Sequence, residues 1–248
     1  MPLSQEKILK NLNNPVSLHI YDSIDSTNTE ARRRADIDRG VHLYAAAHQT
    51  AGRGRRGHSF YSPEDTGLYM TLSLPFRDSF GDIQFITCAA AVAVCEAVET
   101  LSGKNPQIKW VNDIFISGKK VAGILAELIG DRDNKPTSII IGIGINLNTE
   151  IFPADIADIA GSIGDIAPEL LCADITDRLI DYYNDLSDNS LLEKYKNRSL
   201  CLGRKVTFVL DGKKMTATAV DIDCGGGLVV DIDGERVTLN SGEISVSI

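Results

Sequence analysis

The sequence predicts an α+β protein, made of a mixed β-sheet domain with helices packed on one face and a small all-β domain after it. The first observation is composition, because 43% hydrophobic and 24% charged residues over 248 positions are the balance of an ordinary globular protein. The second is a change in the sequence pattern after Leu202. Before it, strand-like and helical segments are mixed, and after it there are short segments of alternating hydrophobicity separated by glycine-containing turns. The predicted domains are therefore residues 1–200 and 201–248.

The first domain should contain seven strands and four helices. Thr27 and Glu30 have the spacing of a capping box, which predicts a helix start. Residues 83–101 are alanine-rich and apolar on most sides, which predicts a well-buried helix, and Pro168 stands where another helix can open. The predicted helices are 27–34, 83–101, 168–186 and 190–198, and the predicted strands are 17–24, 41–49, 67–75, 107–111, 113–117, 119–129 and 137–148.

The second domain is predicted from four short strands with hairpin turns between them. The strands are 204–210, 213–223, 227–233 and 236–240. The turns between them contain Asp-Gly and Gly-Gly pairs, which are hairpin signals. Alternating strands of this length, joined by tight turns, predict a small barrel.

Charge, cysteines and hydropathy exclude several classes of protein. The net charge of −9 argues against general affinity for nucleic acid. The N-terminal stretch is too polar for a secretory signal, and no apolar run approaches the roughly 18 residues of a membrane span. The five cysteines include no CxxC pair, which indicates reduced thiols rather than disulfides or a zinc site. We therefore expect a cytoplasmic protein without membrane or DNA partners.

An arginine–glycine segment interrupts this acidic background. Residues 48–60 read HQTAGRGRRGHSF, with three arginines and three glycines in six consecutive positions. Because like charges repel and glycines lose much entropy on ordering, the segment suits neither a helix nor a strand. A solvated basic loop is the simpler interpretation. Close-approaching backbone N–H groups and forked guanidinium donors favour a loop that becomes ordered around an anion.

Three further segments carry residues suited to ligand binding, and each has a simpler alternative. Residues 109–113 read KWVND, whose polar end could also just terminate a strand. In residues 118–125, GKKVAGIL, strand alternation puts Lys119 and Lys120 on opposite faces, so one must point inward unless both lie at a flexible edge. In residues 142–146, GIGIN, the glycines mark either a ligand or tight sheet packing. Each segment alone is weak evidence, but their order and spacing together are specific.

Together these motifs resemble those of the biotin–protein ligase family. The matching pieces are DSTN at 25–28, QTAGRGRRG at 49–57, KWVND, KKVAGIL and GIGIN, so the resemblance covers nearly the whole chain. It implies a biotin–lipoate ligase fold, similar to class II synthetases, with an SH3-like C-terminal barrel. The related lipoate ligases share this fold but lack the arginine–glycine loop.

The resemblance also implies a set of site residues. Those implied for biotin are Ser26, Thr27, Asn28, Gln49, Arg53, Gly54, Arg55, Lys120, Gly123, Gly142 and Gly144. Those implied for ATP are Arg53, Arg55, Phe60, Lys120 and Asn146. The implied catalytic residues are Arg55, Lys120 and Asp113, and the implied Mg²⁺ ligands are Asn146 and Asp113.

Three positions depart from the family's pattern. Phe60 stands where a tryptophan commonly covers the adenine, and its ring can still stack, with less area and no N–H donor. His58 replaces a further basic residue, and Val111 replaces the proline of KWPND. The reaction that the motifs imply does not depend on these three side chains.

The implied function is ATP-dependent activation of biotin to biotinyl-5′-AMP, with Mg²⁺, followed by transfer of biotin to a lysine of a biotin carboxyl carrier protein. A homodimer is a further possibility, because relatives pair through sheet edges near the ligand loops. Only fifteen residues precede Val16, so the N-terminal DNA-binding domain of many relatives is not expected. The alternatives are an inactive module that binds biotin or the carrier, and a ligase for another acyl acid such as lipoate.

Overall fold

The computed structural model describes residues 3–35, 37–77, 83–131, 133, 135–185, 190–210, 212–240, 242 and 244–246. The helices in these ranges are α1 (Gln5–Asn11), α2 (Thr27–Arg34), α3 (Ile83–Ser102), α4 (Pro168–Asn184) and α5 (Ser190–Asn197). The first sheet comprises β1 (Ser17–Tyr21), β2 (His42–Ala46), β3 (Gly67–Pro75), β4 (Gln107–Lys109), β5 (Asp113–Ile116), β6 (Lys119–Gly130) and β7 (Pro136–Asn146). The second comprises β8 (Lys205–Leu210), β9 (Lys213–Ile222), β10 (Leu228–Ile232), β11 (Glu235–Leu239) and β12 (Ser245–Val246).

The first sheet is mixed, as the sequence predicts. Its strand order is β1-β2-β3-β7-β6-β5-β4. Strands β1 and β2 run parallel, and the other neighbouring pairs are antiparallel. The long strands β3, β7 and β6 lie at the centre, so they provide the platform on which the other elements pack.

Alternation along β7 gives this sheet two different faces. The isoleucines at the odd positions of 139–145 point into the main core, which α3 and α4 cover. On the opposite face, Ile140 joins a separate buried cluster with Ala31 of α2. Gly142 and Gly144 follow Ile140 on that second face, so the strand carries little bulk there. One face of the sheet is therefore core, and the other leaves room for a site beside α2.

Helix α2 has the predicted bounds but a different N-cap from the one that the capping-box pattern implies. The N-cap is Ser26, whose backbone is extended and whose Oγ accepts a hydrogen bond from the backbone N of Thr29 at 3.4 Å. Thr27 is already the first helical residue, so the box is out of register by one position. Glu30 instead accepts a hydrogen bond from Nε of Arg34 at 2.6 Å. The functional consequence is that Ser26 combines a capping role with its place in the candidate site.

Helix α3 is the main helix of the core. Among the described residues it is the one helix whose length and composition would allow it to cross a membrane. In the fold, however, 67% of its most apolar 18-residue stretch is buried inside the protein. Its polar residues Glu96 and Glu99 form ion pairs with Arg178 and Arg198 at 3.1 and 2.8 Å. The helix is therefore packed by protein on its apolar sides and paired at its charges.

The second sheet is antiparallel, with the strand order β11-β10-β9-β8-β12. Four of these strands match the predicted hairpin strands, and β12 was not predicted. The turn after β9 joins this sheet to the first domain, because the carbonyl oxygen of Gly226 accepts hydrogen bonds from Nε2 of Gln84 at 2.8 Å and from Nε1 of Trp110 at 2.9 Å. Asp223 holds the same turn by accepting from two of its backbone N–H groups.

Other differences from the predicted elements are local. The predicted strand 107–111 ends at Lys109, and the Trp110–Val111 peptide bond in the following turn is cis. The predicted strand 17–24 ends at Tyr21, although Ile24 forms an isolated bridge with Gln49. Residue 186, at the end of the predicted third helix, lies outside the described residues.

The cysteines are free thiols, as expected. All but Cys224 are buried. Burial raises the pKa of the Cys172 thiol to about 12, and burial likewise raises the pKa of Cys95. Both thiols are therefore protonated at neutral pH, which makes them packing residues rather than nucleophiles.

We predict that Gly226→Ala destabilises the protein more than Gly234→Ala does. Both glycines have a positive φ, at 85° and 92°, so each alanine bears a backbone cost of roughly 1–2 kcal/mol. A methyl group at Gly226 would lie 2.9 Å from Sγ of Cys88, whereas none of the described atoms lies within 4 Å at Gly234. The overpacking at Gly226 adds about 1–3 kcal/mol. Urea unfolding curves measure the free energy of unfolding of both variants. Equal losses would show that the Gly226 turn is not closely packed against Cys88.

Candidate active site

A cavity of about 360 Å³ lies on the α2 side of the first sheet. Its lining includes every residue predicted for biotin and every predicted catalytic residue. These are Ser26, Thr27, Asn28, Gln49, Arg53, Gly54, Arg55, Asp113, Lys120, Gly123, Gly142 and Gly144. Phe60 also lines it, and the residues that the sequence analysis did not name include Arg56, Lys109 and Ser245 of β12. Residues of five separate motifs therefore line one cavity.

The glycines of β7 make room for side chains of the site itself. A Cβ at Gly142 would lie 1.8 Å from Oδ1 of Asn28, and a Cβ at Gly144 would lie 2.5 Å from the ring of Phe60. Neither distance is tolerable for a methyl group, so the alternating glycines are required by Asn28 and Phe60. The sequence analysis attributed these glycines to approach of a ligand. The structure shows that the immediate neighbours are protein side chains that also line the cavity.

A chain of short polar side chains crosses the cavity floor. Oε1 of Gln49 accepts from the backbone N of Thr27 at 2.9 Å, and Nε2 of Gln49 donates to Oγ of Ser62 at 3.0 Å. Oγ1 of Thr71 lies 2.8 Å from Oγ1 of Thr27 and donates to Oδ1 of Asn28 at 2.7 Å. This chain fixes the orientation of each amide and hydroxyl. The sequence analysis missed Thr71, which is buried in β3 opposite Gly142.

The arginine–glycine segment is held on this face by its own backbone and by two of its arginines. The backbone N of Gly54 donates to the carbonyl of His58 at 2.7 Å, and the backbones of Arg53 and Ser59 form an isolated antiparallel β-bridge. Both Nη atoms of Arg53 donate to Glu127, at 3.0 and 3.1 Å. Arg55 donates to Oδ1 of Asn112, at 3.1 Å. The loop thus presents arginines whose positions are set by side chains of the sheet.

The two lysines of KKVAGIL have different surroundings. Lys120 lines the cavity, with its Nζ 2.7 Å from Oδ1 of Asp113. Lys119 is absent from the lining, and its Nζ donates to the carbonyl of Asp158 at 2.5 Å. The backbone N of Lys120 also donates to the carbonyl of Ile159 at 2.7 Å, so both the backbone and the side-chain amine of this lysine have fixed partners. Lys120 is therefore the inward residue that strand alternation required.

Asn146 is the one predicted site residue that does not line the larger cavity. It lines a second, smaller cavity of about 110 Å³, together with Tyr61, Phe152 and Ile156. Nδ2 of Asn146 donates to the carbonyl of Gly161 at 3.0 Å, while its buried Oδ1 has no hydrogen-bond partner among the described atoms. Ser59, Phe60, Lys120 and Ile159 line both cavities, so the two spaces adjoin each other.

The two predicted magnesium ligands do not form a metal site of protein side chains alone. Asp113 and Asn146 line different cavities. Among the described residues, no group of three or more histidines, cysteines or acidic residues is arranged to hold a metal ion. The carboxylate of Asp113 faces the larger cavity, where it is a hard oxygen donor of the kind that Mg²⁺ takes once or twice beside substrate phosphates.

The lining thus combines two kinds of side chain. The neutral amides and hydroxyls come from Ser26, Thr27, Asn28 and Gln49, and the cations include Arg53, Arg55 and Lys120. A ligand with a small polar ring and a negative charge fits this combination. The adjoining apolar cavity suits a flat ring system.

Comparison with known proteins identifies the family. Residues 20–146 match the Biotin/lipoate A/B protein ligase family, and residues 201–247 match the Biotin protein ligase C terminal domain. The chain belongs to the Biotin/lipoate A/B protein ligase family.

Individual relatives support this assignment. The chain is 30% identical over 248 residues to the "Biotin--[acetyl-CoA-carboxylase] ligase" of Mycobacterium tuberculosis, covering 92% of this chain and 88% of that protein. It is 40% identical over 153 residues to the "Bifunctional ligase/repressor BirA" of Bacillus subtilis, covering 60% of this chain and 46% of that protein. The matched stretch thus spans about half the length of the Bacillus relative.

Solved structures have the same fold. The biotin protein ligase of Aquifex aeolicus, in complex with biotin and ATP, superposes with a TM-score of 0.78 at 27% identity, covering 93% of this chain and 98% of that one. The ligase of Leishmania major, in complex with biotinyl-5-AMP, superposes with a TM-score of 0.65 at 27% identity, covering 92% and 100%. The similarity extends over both sheets.

We predict that the cost of Gly142→Ala depends on Asn28. In the wild-type background the new methyl group collides with Oδ1 of Asn28 and should destabilise the fold by about 1–3 kcal/mol. In an Asn28→Ala background the space is open, and the same change should cost less than about 0.5 kcal/mol. Denaturant unfolding of the four proteins measures this coupling. Equal costs in both backgrounds would show that Asn28 does not occupy the space above Gly142.

Proposed function

We propose that this protein is an ATP-dependent biotin–protein ligase, which makes biotinyl-5′-AMP and then transfers biotin to a lysine of a carrier protein. The observation that carries the proposal is the convergence of Arg53, Arg55 and Lys120 on a cavity that is also lined by amide and hydroxyl side chains. Family membership and the biotin, ATP and adenylate complexes of similar structures support it.

The neutral side chains of the cavity suit the biotin head group. A ureido ring offers one acceptor oxygen and two N–H donors, so it needs both donors and acceptors in a small space. Ser26, Thr27, Asn28 and Gln49 supply hydroxyl and amide groups there. The chain of hydrogen bonds through Gln49 and Thr71 limits how these groups can turn, which favours one orientation of the ring.

The cationic side chains suit the activation step. The biotin carboxylate must attack the α-phosphate of ATP, and two unit charges about 4 Å apart repel by roughly 4 kcal/mol at an effective dielectric constant near 20. Arg53, Arg55 and Lys120 offset this repulsion and stabilise the extra charge that develops at phosphorus. Pyrophosphate leaves, and biotin remains joined to AMP as a mixed anhydride.

Magnesium belongs to this proposal as a companion of the ATP phosphates. Asp113 is the carboxylate in the cavity that would hold it. When bound, the ion neutralises phosphate charge and aids departure of pyrophosphate. Because Asp113 also pairs with Lys120, it links the position of the lysine to that of the phosphates.

The smaller cavity suits the nucleoside base. Its lining is rich in aromatic and branched side chains, which pack well against a planar ring. Phe60 lies between the two cavities, as expected of a residue that contacts both the base and the adenylate. Asn146, which was predicted for ATP, also lines this cavity, and its Nδ2 is fixed by the carbonyl of Gly161.

The second step is transfer to a carrier lysine. Its amine attacks the mixed anhydride, an amide forms and AMP leaves. Between the two steps water must be excluded, and the arginine–glycine loop lies where it can cover the adenylate. The relatives named as acetyl-CoA-carboxylase ligases favour a biotin carboxyl carrier domain as the partner. Cytoplasmic location, absence of DNA binding and a homodimer stay predictions.

We predict that Lys120→Ala lowers biotin-dependent ATP–pyrophosphate exchange by roughly 10²–10³-fold, the loss found for one donor to a developing negative charge. Lys119→Ala is the matched control, because the neighbouring lysine carries the same charge but bonds to Asp158 outside the cavity. It should retain activity within about threefold of wild type. Equal losses in the two variants would refute the assignment of Lys120. Lipoate competing as well as biotin in the wild-type assay would favour the other acyl acid.

We further predict that Arg55→Gly still forms biotinyl-5′-AMP but releases it. Arg53 and Lys120 continue to balance charge, whereas the loop loses the arginine that binds Asn112 and would bind the phosphate. Free adenylate acylates exposed lysines, so the variant should label an unrelated lysine-rich protein as well as the carrier. The measurement is a biotin blot of a mixture of the variant, ATP, biotin, the carrier and the lysine-rich protein, which shows how much biotin each protein carries. Labelling confined to the carrier, at an undiminished rate, would contradict the role of Arg55.

A further inference from the structure

Glu127 of β6 binds polar groups from two other elements, helix α2 and the arginine–glycine loop, without lining either described cavity. Its carboxylate accepts from Arg53 of the loop, at 3.0 and 3.1 Å, and from Arg32 of α2, at 2.7 Å. It also accepts from Nδ2 of Asn28, at 3.2 Å. The Glu127 side chain is 16% exposed, so these partners rather than water satisfy most of its hydrogen-bonding capacity.

Glu127 determines which way the Asn28 amide faces. The two hydrogens of Nδ2 are directed to the carbonyl of Leu125 and to Glu127, both at 3.2 Å. The reverse orientation would set the amide oxygen against a carbonyl and a carboxylate, three acceptors together. Oδ1 therefore lies toward Thr71 and Gly142, and its second lone pair is the acceptor that we assign to the ligand.

Glu127 also determines where Arg53 lies. A two-point contact between a guanidinium and a carboxylate fixes the plane of the arginine as well as its distance. Without the negative charge, the exposed guanidinium groups of Arg53 and Arg32 would face each other as like charges. Arg53 would then turn outward, since the loop that carries it is rich in glycine.

We propose that Glu127 is a positioning residue for biotin: it sets Arg53 at the mouth of the cavity and the hydrogen-bond polarity of Asn28 at its floor. This rests on the proposed function, because the bound acid is the biotin of that reaction. The residue acts through its two partners and does not touch the substrate. Its effect should therefore fall on biotin binding more than on turnover.

The test compares Glu127→Gln with Glu30→Gln in the full-length protein. Glu30 is a matched control, because its side chain is 13% exposed and it also pairs with two arginines, Arg33 and Arg34, but it lies outside the cavity lining. The hydrogen bond from Arg34 holds the pKa of Glu30 below its usual value, so this control also loses a negative charge at neutral pH.

For Glu127→Gln we expect the biotin KM in pyrophosphate exchange to rise about ten- to a hundredfold, the effect of losing a charge-assisted hydrogen bond. The kcat at saturating biotin should fall by less than about threefold. The rise in melting temperature on adding biotin alone should shrink in parallel. For Glu30→Gln both kinetic constants should stay within about twofold of wild type.

A second comparison separates positioning from general damage. In an Asn28→Ala, Arg53→Ala background, Glu127→Gln should change the biotin KM by less than about twofold, because the two partners through which it acts on the site are gone and only Arg32 remains. Glu127→Asp keeps the charge and should recover part of the affinity. The melting temperature without biotin is recorded for every variant, so that loss of folded protein is not read as loss of affinity.

Two results would overturn the inference while leaving the proposed function intact: an unchanged biotin KM in Glu127→Gln, or the same KM increase in both backgrounds. Wild-type protein that neither binds biotin nor catalyses exchange would overturn the proposed function, and the inference with it.

Discussion

Several cations line one cavity, and the repulsion among them is the constraint on which the site depends. Two unit charges about 4 Å apart repel by roughly 4 kcal/mol at an effective dielectric constant of 20, so cations gathered at one site need fixed partners. Arg53, Arg55 and Lys120 have such partners. Each is held by one polar side chain. Glu127 holds Arg53, Asn112 holds Arg55 and Asp113 holds Lys120. The cavity is therefore positive before any ligand contributes charge, which is the condition for binding a carboxylate next to a phosphate.

The holding residues are placed by the strands on which they lie. Asn112 and Asp113 come directly before and at the start of β5, and Glu127 lies on the neighbouring strand β6. The register of β5, β6 and β7 then sets the positions of the two carboxylates along the sheet, since Asp113 is opposite Gly123 and Glu127 is opposite Ile140. Side chains alternate along β7, so the isoleucines at its odd-numbered positions point into the core. Its glycines lie on the opposite face, beneath Asn28 and Phe60. One sheet thus builds the core and the site together.

Much of this could be predicted from the sequence, because local patterns carry it. The apolar runs predicted the central strands, and the arginines, the lysines and all the lining glycines except Gly242 were in recognisable motifs. What a local pattern does not contain is the partner across the sheet. Glu127 is one charged residue in a strand, and its role depends on α2 and the loop meeting there. The N-cap was misplaced by one position because Ser26 and Thr27 are both good caps, and backbone geometry chose between them. Asn146 lines the smaller cavity and not the larger one because the segment after β7 folds back onto it, where the carbonyl of Gly161 accepts from its Nδ2.

The account can be tested most directly by a crystal structure of the protein with biotin and a non-hydrolysable ATP analogue. It predicts the biotin carboxylate and the α-phosphate between Arg55 and Lys120, with donor–acceptor distances of about 2.7–2.9 Å. It also predicts a ureido N–H facing Oδ1 of Asn28, and Arg53 still within hydrogen-bond distance of Glu127. A structure with the phosphate bound elsewhere, and with Arg55 and Lys120 both turned to solvent, would contradict the claim that the held cations form the site of activation.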